Sequence, residues 1–351
     1  MTLSGMFDQD ALGRSLSAFA RRPAMPDGNP GLAALMHSLR EQRLDQLPLP
    51  GMGHTLLRWQ VLAQVAACDL ALAKIYEGHT DALAILAECR TAHLAAGDLW
   101  AVWAAEPPGA RVRIVRRDAD QVYLMGRKSW CSGALEVNRA VISVWDEQDR
   151  AQLVAIEVGG PCQQISTQNW QAVGMAQTQS ADIEFEECPA VIVGEPGEYV
   201  QRPGFWHGAG GIAACWYGAA TGLAEHLHRH AHRLHIERRA DPHALSHLGA
   251  VDAALGSAAA LLRESAREID QRPFADVSRA ARRLRAHVEQ AAGEVISHVG
   301  RALGATPFCR EAHFARLSAD LPVFMRQSHA ERDLAQLGLQ VAHEVSTGWK
   351  L

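Results

Sequence analysis

The sequence lacks the features that mark several classes of protein. Its seven cysteines are scattered and none forms a CxxC pair, so neither a disulfide framework nor a thiolate zinc site is indicated. Basic residues are not in excess, because the formal net charge is -5. This argues against a general affinity for nucleic acid or an anionic membrane. The N-terminus carries acids early and has no apolar core, unlike a signal peptide, so we expect a cytoplasmic protein.

Long apolar runs are scarce as well. The stretch Pro203–Ala224 contains no Asp, Glu, Lys or Arg, and it is long enough to suggest a membrane span. It carries His207 and many Gly and Ala with few Leu or Ile, so a buried helix with small packing residues explains it better. We therefore expect no membrane span.

The residues that are present are typical of a globular protein. Hydrophobic residues make up 48% of the chain and charged residues 21%, as in ordinary soluble domains. A chain of 351 residues is long for one core, so two or three subdomains are expected.

Helical periodicity occupies both ends of the chain. A long pattern begins at Thr55, and Thr80 or Asp81 can cap a second helix behind it. Near the C-terminus four long segments have helical periodicity, and Pro322 is expected to kink or split the last of them. Such long helices with short connections predict an up-and-down bundle.

Between these regions the apolar period changes to two. Short alternating segments such as Arg111–Arg116 follow Gly97 and are separated by Asp, Gly and Pro turns, which predicts a small antiparallel sheet or barrel. The predicted domains are helical over 1–97, β over 98–200 and a helical bundle over 201–351.

One stretch in the middle region, Met125–Arg139 (MGRKSWCSGALEVNR), has the residues that a planar cofactor needs. A flavin requires a flat apolar wall and polar groups at its ring edge. Trp130 and Ser132 are two residues apart, so an extended strand would present both on one face. The alternative is a Trp buried in a barrel core and a Ser in a turn.

Several stretches resemble the acyl-CoA dehydrogenase superfamily, in the same order. GRKSWCSGA (Gly126–Ala134) resembles the family's G-x-K-x-[WF]-I-[TS] segment, and AVGMAQTQSADIEFEECPA (Ala172–Ala190) resembles the stretch that closes its β domain. GAGGIAACWYGAA (208–220) resembles the first bundle helix, and VGRALGATPF (Val299–Phe308) a glycine turn that meets the adenosine end of FAD. The resemblance implies an α+β fold: an N-terminal helical domain, a middle antiparallel β domain and a C-terminal four-helix bundle.

The resemblance also implies FAD as cofactor. The aromatic and hydroxyl residues that line the flavin in the family correspond to Trp130 and Ser132. By position, Ala105 replaces the Thr of the family's T-E-P-x-x-G-S-D motif, Arg238 lies near an Arg that faces the flavin pyrophosphate, and Gly304 lies in the glycine turn. The Gly-Ser-Asp end of that motif is missing here.

The family's catalytic glutamate is missing as well. Its position falls on Ser328, with Glu331 three residues later, and abstraction of an α-proton needs a carboxylate held near the substrate. The family's alternative base position falls near His207. Flavin monooxygenases of the same fold use hydroxyl and His side chains instead, and a neutral His such as His207 or His329 can deprotonate a phenol or amine near pH 7.

The run EHLHRHAHRLH (Glu225–His235) has His pairs spaced i,i+4, which can bind zinc. Further chelating partners are not identified in the sequence, so we expect a solvated helix face and no metal site.

Three functions remain open. The first is an FAD-dependent oxidoreductase acting on an acyl thioester such as acyl-CoA. The second is a reduced-flavin monooxygenase of the same fold acting on an aromatic or amine substrate. The third is a degenerate homologue that binds a partner or ligand without catalysis. For the two enzymes the substrate is a small molecule, and the resemblance implies a homodimer or homotetramer.

Overall fold

The computed structural model describes residues 7–21, 31–95, 97–118, 121–239, 241–344 and 349. The first six residues, on which the signal-peptide expectation partly depends, lie outside these ranges. The chain forms two compact units, one from Met1–Leu47 and Ala71–Phe205 and the other from Pro48–Leu70 and Trp206–Leu351. The helices of the predicted 1–97 domain are therefore divided between the two units.

Helices occupy both ends of the described chain. Those before the strands are α1 (Gln9–Ala20), α2 (Leu32–Glu41), α3 (Thr55–Cys68) and α4 (Leu70–Glu88). Those after the strands are α5 (Glu198–Gln201), α6 (Pro203–Ile236), α7 (Pro242–Gln271), α8 (Ser278–Leu303), α9 (Ala305–Arg310), α10 (Ala312–Met325) and α11 (Glu331–His343).

The strands lie between these helices, all in the first unit. They are β1 (Trp100–Trp103), β2 (Val112–Asp118), β3 (Gln121–Cys131), β4 (Arg139–Trp145), β5 (Ala151–Glu157), β6 (Gln163–Ser166) and β7 (Ala181–Val193). Strand order is β1-β4-β2-β3-β7-β5, with β6 beside β7 and a further pairing of β4 with β5. That pairing closes five strands into a ring, so the predicted strand region forms a barrel.

The prediction of a purely antiparallel sheet is wrong. β1 runs parallel to β4, and β2 meets β4 in parallel at Arg113 and Trp145. The β2–β3 hairpin separates β1 from β4 along the chain, and such a connection brings the later strand back in the same direction. The remaining ladders are antiparallel.

The long N-terminal helix breaks at a different residue from the predicted one. Asp69 is extended, with φ -163° and ψ 128°, and separates α3 from α4. Thr80 lies inside α4, where its hydroxyl donates to the carbonyl oxygen of Glu77 at 3.2 Å. The buried Asp69 carboxylate lies 3.8 Å from Arg316, so a tertiary contact holds the break.

Helix α4 holds the barrel through His79. Its Nδ1 accepts the backbone N–H of Trp100 at 3.1 Å, and its Nε2 lies 3.0 Å from Asp45. Because Nδ1 must be unprotonated to accept, Nε2 carries the proton and donates to the carboxylate. A buried cluster that includes Ile85, Trp100 and Val141 packs behind this contact.

In the second unit α6 packs closely on α3. A side chain at Gly218 would collide with the carbonyl oxygen of Ala63, so only glycine permits this approach. The predicted long last helix is two helices. Pro322 lies within α10, which ends three residues later at Met325, and α11 begins at Glu331. The family's catalytic position therefore lies in a turn and not on a helix.

By length and composition one described helix, α7, could cross a bilayer, so the expectation of no membrane span stays a prediction. The segment first considered as a span belongs to α6 and is largely buried in the second unit. The cysteines also differ from expectation, because Cys162 and Cys188 form a disulfide with their Cα atoms 5.4 Å apart. β6 and β7 bring these residues together, and their spacing in the sequence gives no signal of it.

Candidate functional site

The end of β3 carries the aromatic residue predicted to line a cofactor. Lys128 pairs with Ile183 of β7 and Cys131 with Ala181, so three residue steps on β3 face two on β7, which is a β-bulge. Trp130 lies in the bulge with φ 61°, and its side chain is 56% exposed. The alternative of a Trp buried in the barrel core is therefore wrong.

The strand-alternation argument for Trp130 and Ser132 is also wrong. The bulge interrupts the period of two, and β3 ends at Cys131, so Ser132 begins the following turn. Its backbone N–H donates to the carbonyl oxygen of Trp130 at 3.0 Å. That the two side chains line a flavin stays a prediction.

A chain of hydroxyl groups begins at Ser132. Its Oγ lies 2.9 Å from the Oγ of Ser180, which lies 2.9 Å from the Oγ1 of Thr178. Thr178 in turn donates to the carbonyl oxygen of Met175 at 2.8 Å. Ser180 and Thr178 are 5% and 2% exposed, so only the Ser132 end is partly open. The structure thus joins the two sequence motifs that resembled the family most closely.

Indole and backbone groups fix this chain in place. Trp103 donates from Nε1 to the carbonyl oxygen of Ser132 at 3.0 Å, and Trp170 donates to that of Met175 at 3.2 Å. The N–H of Gly133 donates to the carbonyl oxygen of Thr178 at 2.9 Å. The turn after β3 and the 175–180 segment therefore form one rigid frame.

Backbone strain concentrates in the same place. Trp130, Met175 and Gln179 have φ values of 61°, 58° and 42°, in the left-handed region that non-glycine residues rarely occupy. Such residues persist only where the surroundings over-determine them, and they cluster at binding and catalytic sites. This cluster is a second reason, besides the sequence motifs, to predict a functional site at the end of β3.

The loop that contains Ala105 is held by a buried lysine. Lys128, only 1% exposed, donates to the carbonyl oxygen and hydroxyl of Ser143 at 2.8 and 2.7 Å and lies 3.5 Å from Glu106. Glu106 also accepts from Ser143 and from Trp145 Nε1, both at 2.8 Å. Burial lowers the pKa of Lys128, while the Glu106 charge opposes that shift. Ala105 itself is exposed, two residues after the end of β1.

The second unit contains the predicted catalytic residues. His207 is 1% exposed and packs against Gly51, where an added Cβ would lie 3.0 Å from the imidazole. Ser328 lies in the α10–α11 turn, and its Oγ accepts the N–H of Ala330 at 3.0 Å. His329 is 67% exposed, with Nδ1 3.9 Å from Asp333. Glu331 is exposed at the start of α11.

Arg285 of α8 connects these two predicted base positions. Its guanidinium donates to the carbonyl oxygen of Ala209 at 3.1 Å and to that of Gln327 at 3.3 Å. It also lies over the ring of Trp216, 4.7 Å from the centroid. The carbonyl oxygens of Ala209, two residues after His207, and of Gln327, directly before Ser328, therefore both bind the Arg285 guanidinium. Nothing in the sequence indicates this shared contact.

The remaining predicted cofactor residues lie on the surface of the second unit. Arg238 has φ 55° in the turn after α6 and is exposed. Gly304 is exposed between α8 and α9, with φ 63°. A side chain at Gly304 would meet no atom within 4 Å, so its left-handed conformation and not close packing calls for glycine. Their roles stay predictions.

The histidine run does not form a metal site among the described residues, in which no group of three or more metal-ligating side chains occurs. His226 instead lies 2.8 Å from Glu311 and 3.2 Å from His313. His228 and His232 are exposed, with stacked rings 6.1 Å apart.

The groups at the end of β3 fit an isoalloxazine ring. Trp130 offers an exposed flat surface, and Ser132 offers a partly open hydroxyl two residues later in the chain. Sequence reasoning missed Thr178, Ser180 and Lys128 as parts of this site. The first two occupy the paired Ser/Thr positions of the 172–190 motif, which was the available signal.

Comparison with solved structures gives the fold. The chain resembles a nitrososynthase from Micromonospora carbonacea var. africana with a TM-score of 0.80 and 15% identity, covering 99% of this chain and 98% of that chain. It resembles TdsC from Paenibacillus sp. A11-2 with FMN and indole (TM-score 0.77, 17% identity, 97% and 99%). It also resembles the methanesulfinate monooxygenase MsuC from Pseudomonas fluorescens (TM-score 0.76, 19% identity, 96% and 97%).

This chain shares the fold of these proteins, and the solved structure of TdsC contains FMN. The predicted likeness to a fold of mixed helices and sheet is thereby confirmed, and the predicted domain arrangement stays a prediction. No known family profile matches the sequence. No curated protein sequence matches it either. At identities below 20% the likeness speaks for architecture, and chemistry has to come from the site.

Proposed function

We propose that the protein is a flavin-dependent monooxygenase that binds reduced FMN and acts on a small aromatic or amine substrate. The observation that carries this proposal is that Ser328, which the sequence resemblance assigns to the family's glutamate position, lies in a turn where its Oγ accepts the N–H of Ala330. A dehydrogenase acting on acyl thioesters needs a carboxylate there. Oxygen transfer to an electron-rich substrate needs no such base.

FMN is proposed in place of the FAD expected from the resemblance. The solved structure of TdsC contains FMN, and the Gly-Ser-Asp end of the family's flavin-binding motif is absent here. Reduced flavin supplies activation of dioxygen for insertion of one oxygen atom. In this chain Trp130 would stack on the ring and Ser132 would bond its edge.

His207 is the proposed proton acceptor. It is buried, unlike the exposed His329, and an imidazole near neutral pH takes a proton from a phenol or ammonium group. Arg285 fixes the backbone of the neighbouring Ala209, which holds the start of α6 in one position. His207→Gln is expected to lower turnover, because the amide cannot take the proton.

The function is tested with the purified protein and FMN reduced under anaerobic conditions. The complex is exposed to labelled dioxygen with a panel of indoles, phenols and amino sugars, and products are analysed by mass spectrometry. Incorporation of one labelled oxygen atom supports the proposal. Bleaching of oxidised flavin by acyl-CoA would instead favour a dehydrogenase, and failure to bind flavin in either redox state would favour a non-catalytic homologue.

We also propose that the protein is a homodimer or homotetramer associated through α7. In the most apolar 18-residue segment of α7, only 22% is buried within the chain. Four small residues of this helix are exposed and lie three or four positions apart, which places them on one face: Gly249, Ala253, Gly256 and Ala260. Sedimentation velocity is expected to show an oligomer in the wild type and a smaller species for Ala253→Arg. Arg at the exposed Ala312 of α10 is the control.

A further inference from the structure

The chain of hydroxyls behind Ser132 has a fixed polarity. A carbonyl oxygen only accepts, so the 2.8 Å contact between Thr178 and Met175 uses the single hydroxyl proton of Thr178. Ser180 must then donate to Thr178, and its own proton is used. Ser132 must in turn donate to Ser180. Each hydroxyl has one proton, so one fixed contact determines the other two.

The consequence lies at the open end of the chain. The proton of Ser132 points inward to Ser180, which is buried, and its lone pairs remain for a ligand. The backbone supplies no replacement donor, because the N–H of Ser132 already donates to the carbonyl oxygen of Trp130 at 3.0 Å. Ser132 is therefore an acceptor on the face where the flavin is proposed to bind.

The two redox states of a flavin differ in what they offer such an acceptor. In the oxidised ring, N1 and N5 are bare and only accept hydrogen bonds. In the reduced ring, N5 carries a hydrogen and donates. Where it faces N5, an acceptor-only hydroxyl bonds the reduced ring and faces a lone pair of the oxidised one, and an unpaired polar contact of this kind weakens binding.

We propose that Thr178 and Ser180 are positioning residues that make this site selective for reduced flavin, by holding Ser132 as a hydrogen-bond acceptor. The inference rests on the proposed function, since it requires the flavin to meet Ser132. It goes beyond that function because it assigns the choice of redox state to two buried residues that do not touch the ligand.

The test uses the full chain and FMN in both redox states. Dissociation constants for oxidised and for dithionite-reduced FMN are measured anaerobically by fluorescence titration on the wild type, Thr178→Val and Ser180→Ala. Thr178→Val has nearly the same shape but cannot accept from Ser180, so Ser180 is free to donate to Ser132, and Ser132 can donate outward. The matched control is Thr178→Ser, which keeps the hydroxyl and loses only a methyl group.

The expected result is that the variants bind oxidised FMN more tightly and reduced FMN about as tightly as the wild type does. The wild type binds reduced FMN more tightly, and both variants bind oxidised FMN about three- to tenfold more tightly than the wild type, the range of one hydrogen bond. Affinity for reduced FMN stays within about twofold, because Ser132 still accepts. The midpoint potential of bound FMN then falls by about 30 mV for each tenfold gain in the affinity for oxidised FMN relative to reduced FMN. Thr178→Ser behaves as the wild type.

Structural damage alone would give a different pattern. If the variants lose affinity for both forms equally, or if the ratio of the two constants does not change, the polarity argument is wrong while the proposed function survives. If wild-type protein binds neither form of FMN, the proposed function fails and this inference fails with it.

Discussion

The Lys128–Glu106 pair gives the most quantitative prediction for the candidate site. Two unit charges 3.5 Å apart attract by about 5 kcal/mol at an effective dielectric constant of ~20. The Glu106 side chain is 27% exposed, so solvent reduces this to about 2–3 kcal/mol. Glu106→Gln removes the charge and also one of two acceptors, because the Ser143 hydroxyl and the Trp145 indole donate to different carboxylate oxygens.

We expect Glu106→Gln to lower the free energy of unfolding by about 2–4 kcal/mol at pH 7. The matched control is Glu147→Gln, which breaks the pair with Arg117 on the barrel surface, where both side chains are more than a third exposed. That change is expected to lower the free energy of unfolding by less than about 1 kcal/mol.

The loss should depend on pH with a definite sign. Burial lowers the pKa of Lys128 in the folded state, so the unfolded chain binds more protons between that value and about 10.4. The contribution of Lys128 to the free energy of unfolding therefore rises with pH between these two values. Removing Glu106 lowers the folded pKa of Lys128 further, so the charge part of the deficit is fully present below the folded pKa of Lys128 in the variant. It shrinks as the pH rises from that value to the folded pKa of Lys128 in the wild type, and it is absent above the latter.

Urea unfolding at pH 7 and pH 9.5 measures this deficit for Glu106→Gln, Lys128→Met and the double variant. The double-mutant cycle isolates the pair from the acceptor lost by Ser143 or Trp145. A coupling below about 0.5 kcal/mol, or a deficit that does not change with pH, would refute the view that this ion pair holds the Ala105 loop.

Three further predictions concern the rest of the chain. Trp130→Ala is expected to weaken flavin binding roughly three- to tenfold. Little stability should be lost, since Trp130 is already 56% exposed. Fluorescence titration measures the change in flavin affinity, and Trp349→Ala, at another exposed tryptophan, is the control. Wild-type protein is expected to show no anaerobic bleaching of flavin by straight-chain acyl-CoA, whereas Ser328→Glu would restore bleaching if the acyl site survives; rapid bleaching of the wild type would point to Glu331 as the base. Burial, with Arg229 nearby, lowers the pKa of His226. The free energy of unfolding should therefore rise with pH below about 6.5. His226→Gln should flatten that slope, and the control His343→Gln, at an exposed histidine, should leave it unchanged.

The sequence by itself determined the class of the fold and the place of the candidate site. Apolar periods of 3.6 and 2 are properties of local backbone geometry, so the order helix, strand, helix was readable without tertiary information. The GRKSWCSGA and AVGMAQTQSADIEF segments were singled out from the sequence, and the structure joins them through the hydroxyl groups of Ser132, Ser180 and Thr178.

Tertiary structure decided the rest, because those features depend on contacts between distant residues. The helix break at Asp69 depends on Arg316, which is far away in the sequence. The bulge at Trp130 arises from the register of β3 against β7, and it removed the alternation on which the sequence argument relied. The polarity of Ser132 depends on two hydroxyls almost fifty residues further along the chain. Hydrogen-bond direction is set by which groups meet in space, and no local period in the sequence records it.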